Sequence, residues 1–236
     1  MSAKGVFITG TDTGVGKTVV AAGLVRGLVS KGLRVAVMKP IASGSARTPE
    51  GLRNEDALTL IGAANAAAPY ETVNPYCFEP AISPHIAAED VKISVDITQI
   101  ERNFDTLAAL SDLVVVEGAG GWLAPIGPHE SIGDLAVALN VPVVLVVGLR
   151  LGCINHALLT QLAIKSQGAR LAGWIANAID PAMARRAENL ETLARLLGEP
   201  PLEIVPTLAS GAPSLELTEA AAKLLTVISK SAAVSY

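Results

Sequence analysis

The chain has 236 residues, 50% of them hydrophobic and 17% charged, and a formal net charge of −4. This length predicts a single domain over residues 1–236 with one apolar core. The acidic balance argues against a nucleic acid or an anionic membrane as partner. The longest apolar run, at 141–149, is far shorter than the ~20 residues that cross a bilayer. No signal-peptide core is visible at the N-terminus, so we expect a soluble, cytoplasmic protein.

Short apolar runs alternate with amphipathic segments along the chain, a pattern typical of βαβ units. Strands are predicted at 6–9, 34–39, 113–117, 142–148, 171–177 and 202–206. Because these runs are apolar on both faces, they predict a mostly parallel sheet with helices on both sides. Helices are predicted at 17–31, 56–64, 97–110, 154–166, 182–197 and 214–228. The proline-rich stretch over 70–84 is expected to be an ordered surface excursion.

The first predicted strand runs into the glycine-rich segment GTDTGVGKT at 10–18. A phosphate-binding P-loop reads G-x-x-x-x-G-K-[ST], whereas five residues separate Gly10 from Gly16 here. The order of strand, turn and helix favours a variant P-loop over a chance GKT, and hence an α/β P-loop fold. The backbone N–H groups of 13–18 (Thr13, Gly14, Val15, Gly16 and the two residues after them) are expected to hold phosphate. Lys17 would reach the β- and γ-phosphates of ATP, and Thr18 would bind Mg²⁺.

Three further candidates stand at predicted element ends, where ligands of parallel sheets bind. Glu117 ends a strand before the glycine-rich residues 118–121 and is a candidate second Mg²⁺ ligand; a solvated glutamate is the alternative. Asp56 starts a helix, where it could bind metal or only stabilise the helix N-terminus. Both carboxylates are expected at the solvated rim of the sheet. Lys39 ends the second strand, which we expect beside the first, and could face a transferring phosphoryl group or merely be solvated.

A P-loop alone leaves the reaction open. Related ATPases that partition chromosomes or target membranes carry a lysine near the start of the loop, where this chain has Asp12. Cys153 and His156 suggest the nucleophile of a glutamine amidotransferase, but no third group orients them, so catalysis is not predicted there. Cys77 and Cys153 lack a CxxC spacing, and neither a disulfide framework nor a zinc site is expected.

Seven segments taken in order resemble the dethiobiotin synthetase family, from about residue 5 to residue 210. That family has the same P-loop spacing, GTDTxVGKT. The matching segments are GTDTGVGKT (10–18), KPIASGS (39–45), TPEGLRNEDAL (48–58), TVNPYCFEPAISPH (72–85), VEGAGGW (116–122), VVGLRLGCINHALLT (146–160) and LAGWIAN (171–177).

The resemblance implies that 7,8-diaminononanoate, CO₂ and ATP are joined to give dethiobiotin, ADP and phosphate, the penultimate step of biotin biosynthesis. A carbamate and a carbamic-phosphoric anhydride would be the intermediates. It implies that Lys17, Lys39 and Thr13 are catalytic and that Ser43 contacts the substrate. Mg²⁺ would be bound by Thr18, Asp56 and Glu117. The other implied nucleotide contacts are Gly118, Ala119, Gly120, the adenine-reading Asn177, and Pro206, Thr207 and Leu208 beside the base.

The resemblance also implies a homodimer, in which the helix carrying Asn155 receives the substrate carboxylate of the neighbouring subunit. The chain departs from the family pattern at Gly14, where some members have Glu, and at Asn189, where some have Tyr. Two alternatives remain. An amidotransferase-type ligase of cobyrinate synthesis would need a glutaminase region, for which 236 residues are expected to leave no room. A non-catalytic nucleotide switch would not need Lys39 or Ser43.

Overall fold

The computed structural model describes residues 4–208 and 214–233. The strands are β1 (Gly5–Gly10), β2 (Val35–Met38), β3 (Ile41–Ala42), β4 (Ala46–Thr48), β5 (Gly51–Arg53), β6 (Tyr76–Cys77), β7 (Leu113–Glu117), β8 (Val143–Gly148), β9 (Leu171–Asn177) and β10 (Ile204–Val205). The helices are α1 (Lys17–Ser30), α2 (Glu55–Ala63), α3 (Tyr70–Val73), α4 (Pro84–Asp90), α5 (Ile97–Ala109), α6 (Ile132–Ala138), α7 (Cys153–Ser166), α8 (Arg186–Leu197) and α9 (Thr218–Ala233).

The main sheet has six strands in the order β10-β9-β8-β1-β7-β2. Every neighbouring pair is parallel, so the predicted α/β class and its mostly parallel sheet are confirmed. The expectation that β2 lies beside β1 is wrong, because β7 pairs with both and lies between them. Apolar patterning identifies strands but does not specify their order, and a parallel crossover can skip a position in the sheet.

The sheet is covered on both faces, which explains the continuous apolar runs of its central strands. Every residue of β1, β7 and β8 is buried. One smaller core lies between β8–β9 and helices α7 and α8 and includes the fully buried Trp174. The larger core includes the apolar residues of β1, β2, β7, α1 and α9. The sheet is therefore a rigid support for the loops that follow its strands.

Residues 39–95 leave the main sheet and form a wall over its β2 edge. Here β3 pairs with β6, and β4 and β5 form an antiparallel hairpin. The short helices α3 and α4, and also α6, were not predicted, because segments of four to seven residues give too few turns for a helical period to be recognised.

Two predicted helices begin later than expected. Helix α8 begins at Arg186, since the Asp180 side chain accepts the N–H of Ala182 in a turn and Arg185 has a φ of 53°. Helix α9 begins at Thr218 because the preceding Leu217 donates its N–H to Gly23 of α1. In the described part of the chain, no helix has the length and apolarity needed to cross a membrane.

Candidate active site

A cleft of about 630 Å³ opens at the carboxyl ends of β1, β7 and β2. Its walls are the P-loop, the residues that follow β2 and β7, the start of α2 and the start of α4. From the predicted site, the cleft is lined by Thr13, Gly14, Gly16, Lys17, Thr18, Lys39, Ser43, Asp56, Glu117, Ala119 and Gly120.

The P-loop is shaped by two glycines in the left-handed region, Gly14 at φ 74° and Gly16 at φ 80°. A Cβ atom at Gly16 would overlap the amide of Asn177, so the loop has no room for a side chain there. Lys17 is buried, and its ammonium Nζ donates to the carbonyl of Asp12 at 3.0 Å. Burial, assisted by the charge of Lys39, lowers the pKa of Lys17 to about 8. An anion in the cleft would compensate for that burial and favour the charged form.

Lys39 lies between two carboxylates. Its Nζ is 2.7 Å from Oε1 of Glu117 and 2.9 Å from Oδ2 of Asp56. The same Glu117 oxygen accepts the hydroxyl of Thr18 at 2.8 Å. This convergence follows from strand order: since β7 lies between β1 and β2, Glu117 stands between the residues that follow both neighbours.

The charges in this group stabilise one another. Burial opposes the ammonium form of Lys39, but Glu117 and Asp56 together raise its pKa. Burial likewise opposes the charged form of Asp56, yet Lys39 lowers its pKa. The second oxygen of Glu117, Oε2, is buried and makes no hydrogen bond within the described residues. A buried carboxylate oxygen of this kind can accept a cation or another donor.

Local sequence explains how Asp56 and the glycines after β7 are held. Asn54 caps α2, because its side chain accepts the N–H of Ala57, and this places Asp56 in the first helical turn. In the glycine-rich residues 118–121, Gly120 has a φ of 65°, and a Cβ on it would come within 3.9 Å of the Thr13 hydroxyl. The backbone after β7 therefore approaches the P-loop closely.

Some lining residues had not been predicted as site residues. They are Ala42, Asn54, residues 81–84, Gly121, Ala124 and Pro125. All of them except Ala124 and Pro125 lie within segments that resemble the family, and that resemblance could have identified them. Arg150, which follows β8, also reaches the P-loop and pairs with Asp12 at 2.5 Å.

Other predicted residues lie outside this cleft. Val15 and Asn177 are buried behind the P-loop, where the Asn177 amide donates to the Val15 carbonyl at 2.9 Å. Gly118 is packed against Ile132 and Phe7. The remaining predicted residues are exposed: Asn155 in the first turn of α7, and Pro206, Thr207 and Leu208 after β10.

Solved structures with this arrangement include P-loop ATPases. The chain matches the MinC:MinD cell division protein complex of Aquifex aeolicus with a TM-score of 0.59 at 18% identity, covering 99% of this chain and 98% of that one. It matches a ParA family ATPase of Chlorobium tepidum with a TM-score of 0.53 at 15% identity, covering 99% and 93%. At such identities the likeness establishes the fold alone.

Sequence comparison goes further. A family model described as an AAA domain matches residues 4–213. The ATP-dependent dethiobiotin synthetase BioD of Pseudomonas paraeruginosa is 51% identical over 88% of this chain and 92% of its own length. The protein of that name from Cellvibrio japonicus is 47% identical over 89% and 92%. This identity, held over nearly the full length of the relatives, shows that the chain belongs to the ATP-dependent dethiobiotin synthetase family.

Proposed function

We propose that this protein is an ATP-dependent ligase that closes the ureido ring of dethiobiotin from 7,8-diaminononanoate and CO₂, with release of ADP and phosphate. The observation that carries the proposal, beside family membership, is the convergence of Lys17, Lys39, Thr18 and two carboxylates in one cleft. A simple nucleotide switch needs the P-loop but has no use for a buried lysine on the opposite wall.

The reaction balances in three steps. One amine of the substrate adds to CO₂ and loses a proton, giving a carbamate. A carbamate oxygen then attacks the γ-phosphorus of ATP, which forms a carbamic-phosphoric anhydride and breaks the bond to ADP. The second amine attacks the anhydride carbon, a proton is lost, and phosphate leaves as the ring closes. Anionic oxygens are present at each step, so the cleft must supply positive charge at fixed positions.

The lysines are the positive groups of the cleft. In our proposal Lys17 holds the β- and γ-phosphates, while Lys39 and Thr13 face the carbamate and the transferring phosphoryl group. Ser43 binds the substrate from the wall that follows β3. Because the groups are held on strand ends and a helix start, much of the rate enhancement would come from positioning.

The oxygen donors of the cleft fit a magnesium ion. Thr18, Asp56 and Glu117 supply one hydroxyl and two carboxylates, and Oε2 of Glu117 is buried without a partner among the described residues. Mg²⁺ is usually held by one or two carboxylates together with phosphate oxygens and water. No cluster of three or more His, Cys, Asp or Glu side chains suited to a metal occurs in residues 4–208 and 214–233, so the proposed set relies on ATP. Bound Mg²⁺ would neutralise charge on the phosphate oxygens.

We place the adenine beside the carboxyl ends of β9 and β10. Asn177, with Pro206, Thr207 and Leu208, lies there next to the P-loop. The Asn177 side chain donates one N–H to the Val15 carbonyl. It would therefore recognise the adenine base with its other N–H or its amide oxygen. Gly118, Ala119 and Gly120 complete the nucleotide contacts from the β7 side.

The proposed active form is a homodimer built on α7. In α7, Leu159 and Leu162 expose 57% and 64% of their surface and form a stripe with the exposed Asn155; Leu151, in the turn before the helix, is 94% exposed. Leucines this exposed along one stripe are typical of a protein–protein contact. Since the stripe includes the predicted tail-binding Asn155, a second copy of the chain is the occupant that also completes the site.

The test is ADP release with 7,8-diaminononanoate, bicarbonate and Mg²⁺, omitting each in turn. Turnover that needs all components, with dethiobiotin as product, is the expected result. ATP hydrolysis that continues without the diamine would contradict the proposal and favour a nucleotide switch. Glutamine-dependent turnover would favour the amidotransferase-type ligase.

A further inference from the structure

A hydrogen-bonded network lies behind the wall that carries Lys39 and Asp56. At its centre is the hydroxyl of Tyr70, on α3. It accepts the backbone N–H of Asn54 at 2.8 Å and donates to Oδ1 of Asn74 at 2.9 Å. A backbone N–H can only donate and an amide oxygen can only accept, so the direction of both bonds is determined. The Sγ atom of Cys77 lies 3.7 Å from the same hydroxyl.

Asn74 connects this hydroxyl to Lys39. The side chain is buried, at 2% exposure, and its amide Nδ2 donates to the carbonyls of Lys39 at 2.6 Å and of Tyr76 at 3.3 Å. Because carbonyls only accept, these bonds fix the amide orientation. The N–H of Lys39 donates to the carbonyl of Val73 at 2.9 Å. The main chain of Lys39 is thus bonded on both sides to the turn between α3 and β6.

Asn54 connects the same hydroxyl to Asp56 and Ser43. Its side-chain oxygen accepts the N–H of Ala57 at 3.2 Å and caps α2, and its Nδ2 donates to the carbonyl of Ser43 at 3.3 Å. Asp56 follows in the first turn of that helix. A rotation of Asn54 would therefore shift both the carboxylate of Asp56 and the backbone of Ser43.

The network closes a ring. In the cleft, the side chains of Lys39 and Asp56 meet at 2.9 Å; behind it, their main chains are joined through Asn74, Tyr70 and Asn54. We propose that Tyr70 and Asn74 are positioning residues that hold Lys39, Asp56 and Ser43 in register for the transfer reaction. This inference rests on the proposed function, since it assigns these residues a purpose in that reaction.

Tyr70→Phe tests the link with the smallest change. The aromatic ring stays, and with it the packing of the Arg53 guanidinium, which lies 4.1 Å from the ring centroid. What is lost is the hydroxyl, which leaves the N–H of Asn54 and Oδ1 of Asn74 without their partner. Tyr76→Phe is a matched control, because the Tyr76 hydroxyl also accepts the N–H of a helix N-cap residue, Asp96, at 2.9 Å.

Steady-state kinetics should separate the two variants. In Tyr70→Phe we expect kcat to fall on the order of tenfold to hundredfold, since a misplacement of about 1 Å from a remote change costs about 10²-fold. The Kd for ATP measured without Mg²⁺ should stay close to that of the wild type, because Lys17 and Thr18 lie on α1, outside the network, and Asp56 then has no metal to hold. Tyr76→Phe should keep wild-type kinetics.

Equal kcat values in all three proteins would overturn the inference, and so would equal losses of kcat and of ATP affinity, which indicate a general structural defect. If the wild type does not turn over the diamine, the proposed function fails instead. Crystal structures then test the positioning role independently of turnover. The distance between Lys39 Nζ and Asp56 Oδ2 is 2.9 Å in the wild type. It should be longer in Tyr70→Phe and unchanged in Tyr76→Phe. An unchanged distance in both variants would contradict the inference.

Discussion

The ammonium of Lys39 and the carboxylate of Glu117 form an ion pair of 2.7 Å across neighbouring strand ends, with 4% and 1% of their side chains exposed. Asp56, the other partner of Lys39, has 45% of its side chain exposed. The expectation that both carboxylates lie at the solvated rim is therefore wrong for Glu117. Its ion pair is buried, and breaking a buried pair costs far more than breaking an exposed one.

Glu117→Gln should destabilise the protein more than Asp56→Asn. The first change leaves the buried Lys39 with one partially solvated partner, and we expect a loss of about 1.5–3 kcal/mol in the free energy of unfolding. Asp56→Asn should cost less than about 1 kcal/mol, because the Asp56 carboxylate is partly exposed to water, which screens its charge. Urea denaturation of both variants, without nucleotide, measures the difference. Equal losses would mean that the Lys39–Glu117 pair is not stronger than the exposed one.

Lys39→Ala should act mainly on turnover. Removal of a group that stabilises developing charge lowers kcat on the order of 10²-fold or more. The measurement is kcat and KM for ATP, taken at a temperature where circular dichroism confirms a folded variant. Lys31→Ala, at the exposed end of α1, is the control and should leave both constants unchanged. A rise in the KM for ATP alone would make Lys39 a binding residue.

Local sequence was sufficient for the central elements. The bounds of β7 and β9 agree with their predictions because each is a continuous apolar run ended by a polar residue, Glu117 and Asn177. Helix α1 was predicted to within one residue, since its start is fixed by Gly16 and the GKT sequence. The hydrogen bonds that make α8 and α9 begin later than predicted belong to a turn and to a tertiary contact. The periodicity of apolar residues contains no information on either.

The structure brings part of the predicted site together in one cleft, with contacts that had not been predicted. The sequence identified Lys39, Asp56 and Glu117 as residues at element ends. It did not indicate that one ammonium contacts both carboxylates, because that depends on β7 lying between β1 and β2. The Tyr70–Asn74–Asn54 network was missed for the same reason: its bonds join three segments whose proximity is set by the tertiary fold.

The stability of the protein in alkali should report the environment of Tyr70. Burial is the largest effect on this hydroxyl, and with the nearby Cys77 thiol it raises the pKa of Tyr70 to about 12, against the opposing bond from Asn54. An unfolded tyrosine has a pKa of 10.0. The retained proton therefore contributes stability below pH 10 that is lost as the pH rises towards 12.

Tyr70→Phe removes this contribution, so its free energy of unfolding should fall less steeply than that of the wild type between about pH 10 and 12. Urea midpoints across that range measure the slope. A slope that is the same for Tyr70→Phe and the wild type would show that the hydroxyl is not protected in the folded state.

The exposed stripe of α7 should control assembly. Leu162→Glu places a charge where a leucine would be buried, and burying a leucine contributes ~1.5–3 kcal/mol. We expect the Kd of the dimer to rise on the order of 10²-fold, measured by analytical ultracentrifugation. Leu110→Glu alters an exposed leucine after α5 and should leave assembly unchanged. A wild type that is monomeric at micromolar concentration would contradict the proposed homodimer, and a dimeric Leu162→Glu variant would place the interface outside α7.

Asn155 should act on the substrate tail and not on the chemistry. If the start of α7 receives the carboxylate of the neighbouring subunit's substrate, its N–H groups and dipole contribute about 0.3–2 kcal/mol of uniform binding, because that carboxylate does not change during the reaction. A nonane diamine without the carboxylate should then show a KM raised by roughly twofold to thirtyfold with kcat nearly preserved. Asn155→Ala should raise the KM for 7,8-diaminononanoate itself. The matched comparison is a nonane diamine without the carboxylate, for which Asn155→Ala should have much less effect, since the proposed partner is already missing. An equal rise in KM for both compounds would mean that Asn155 acts through dimer packing, and the tail would then be bound by another part of the protein.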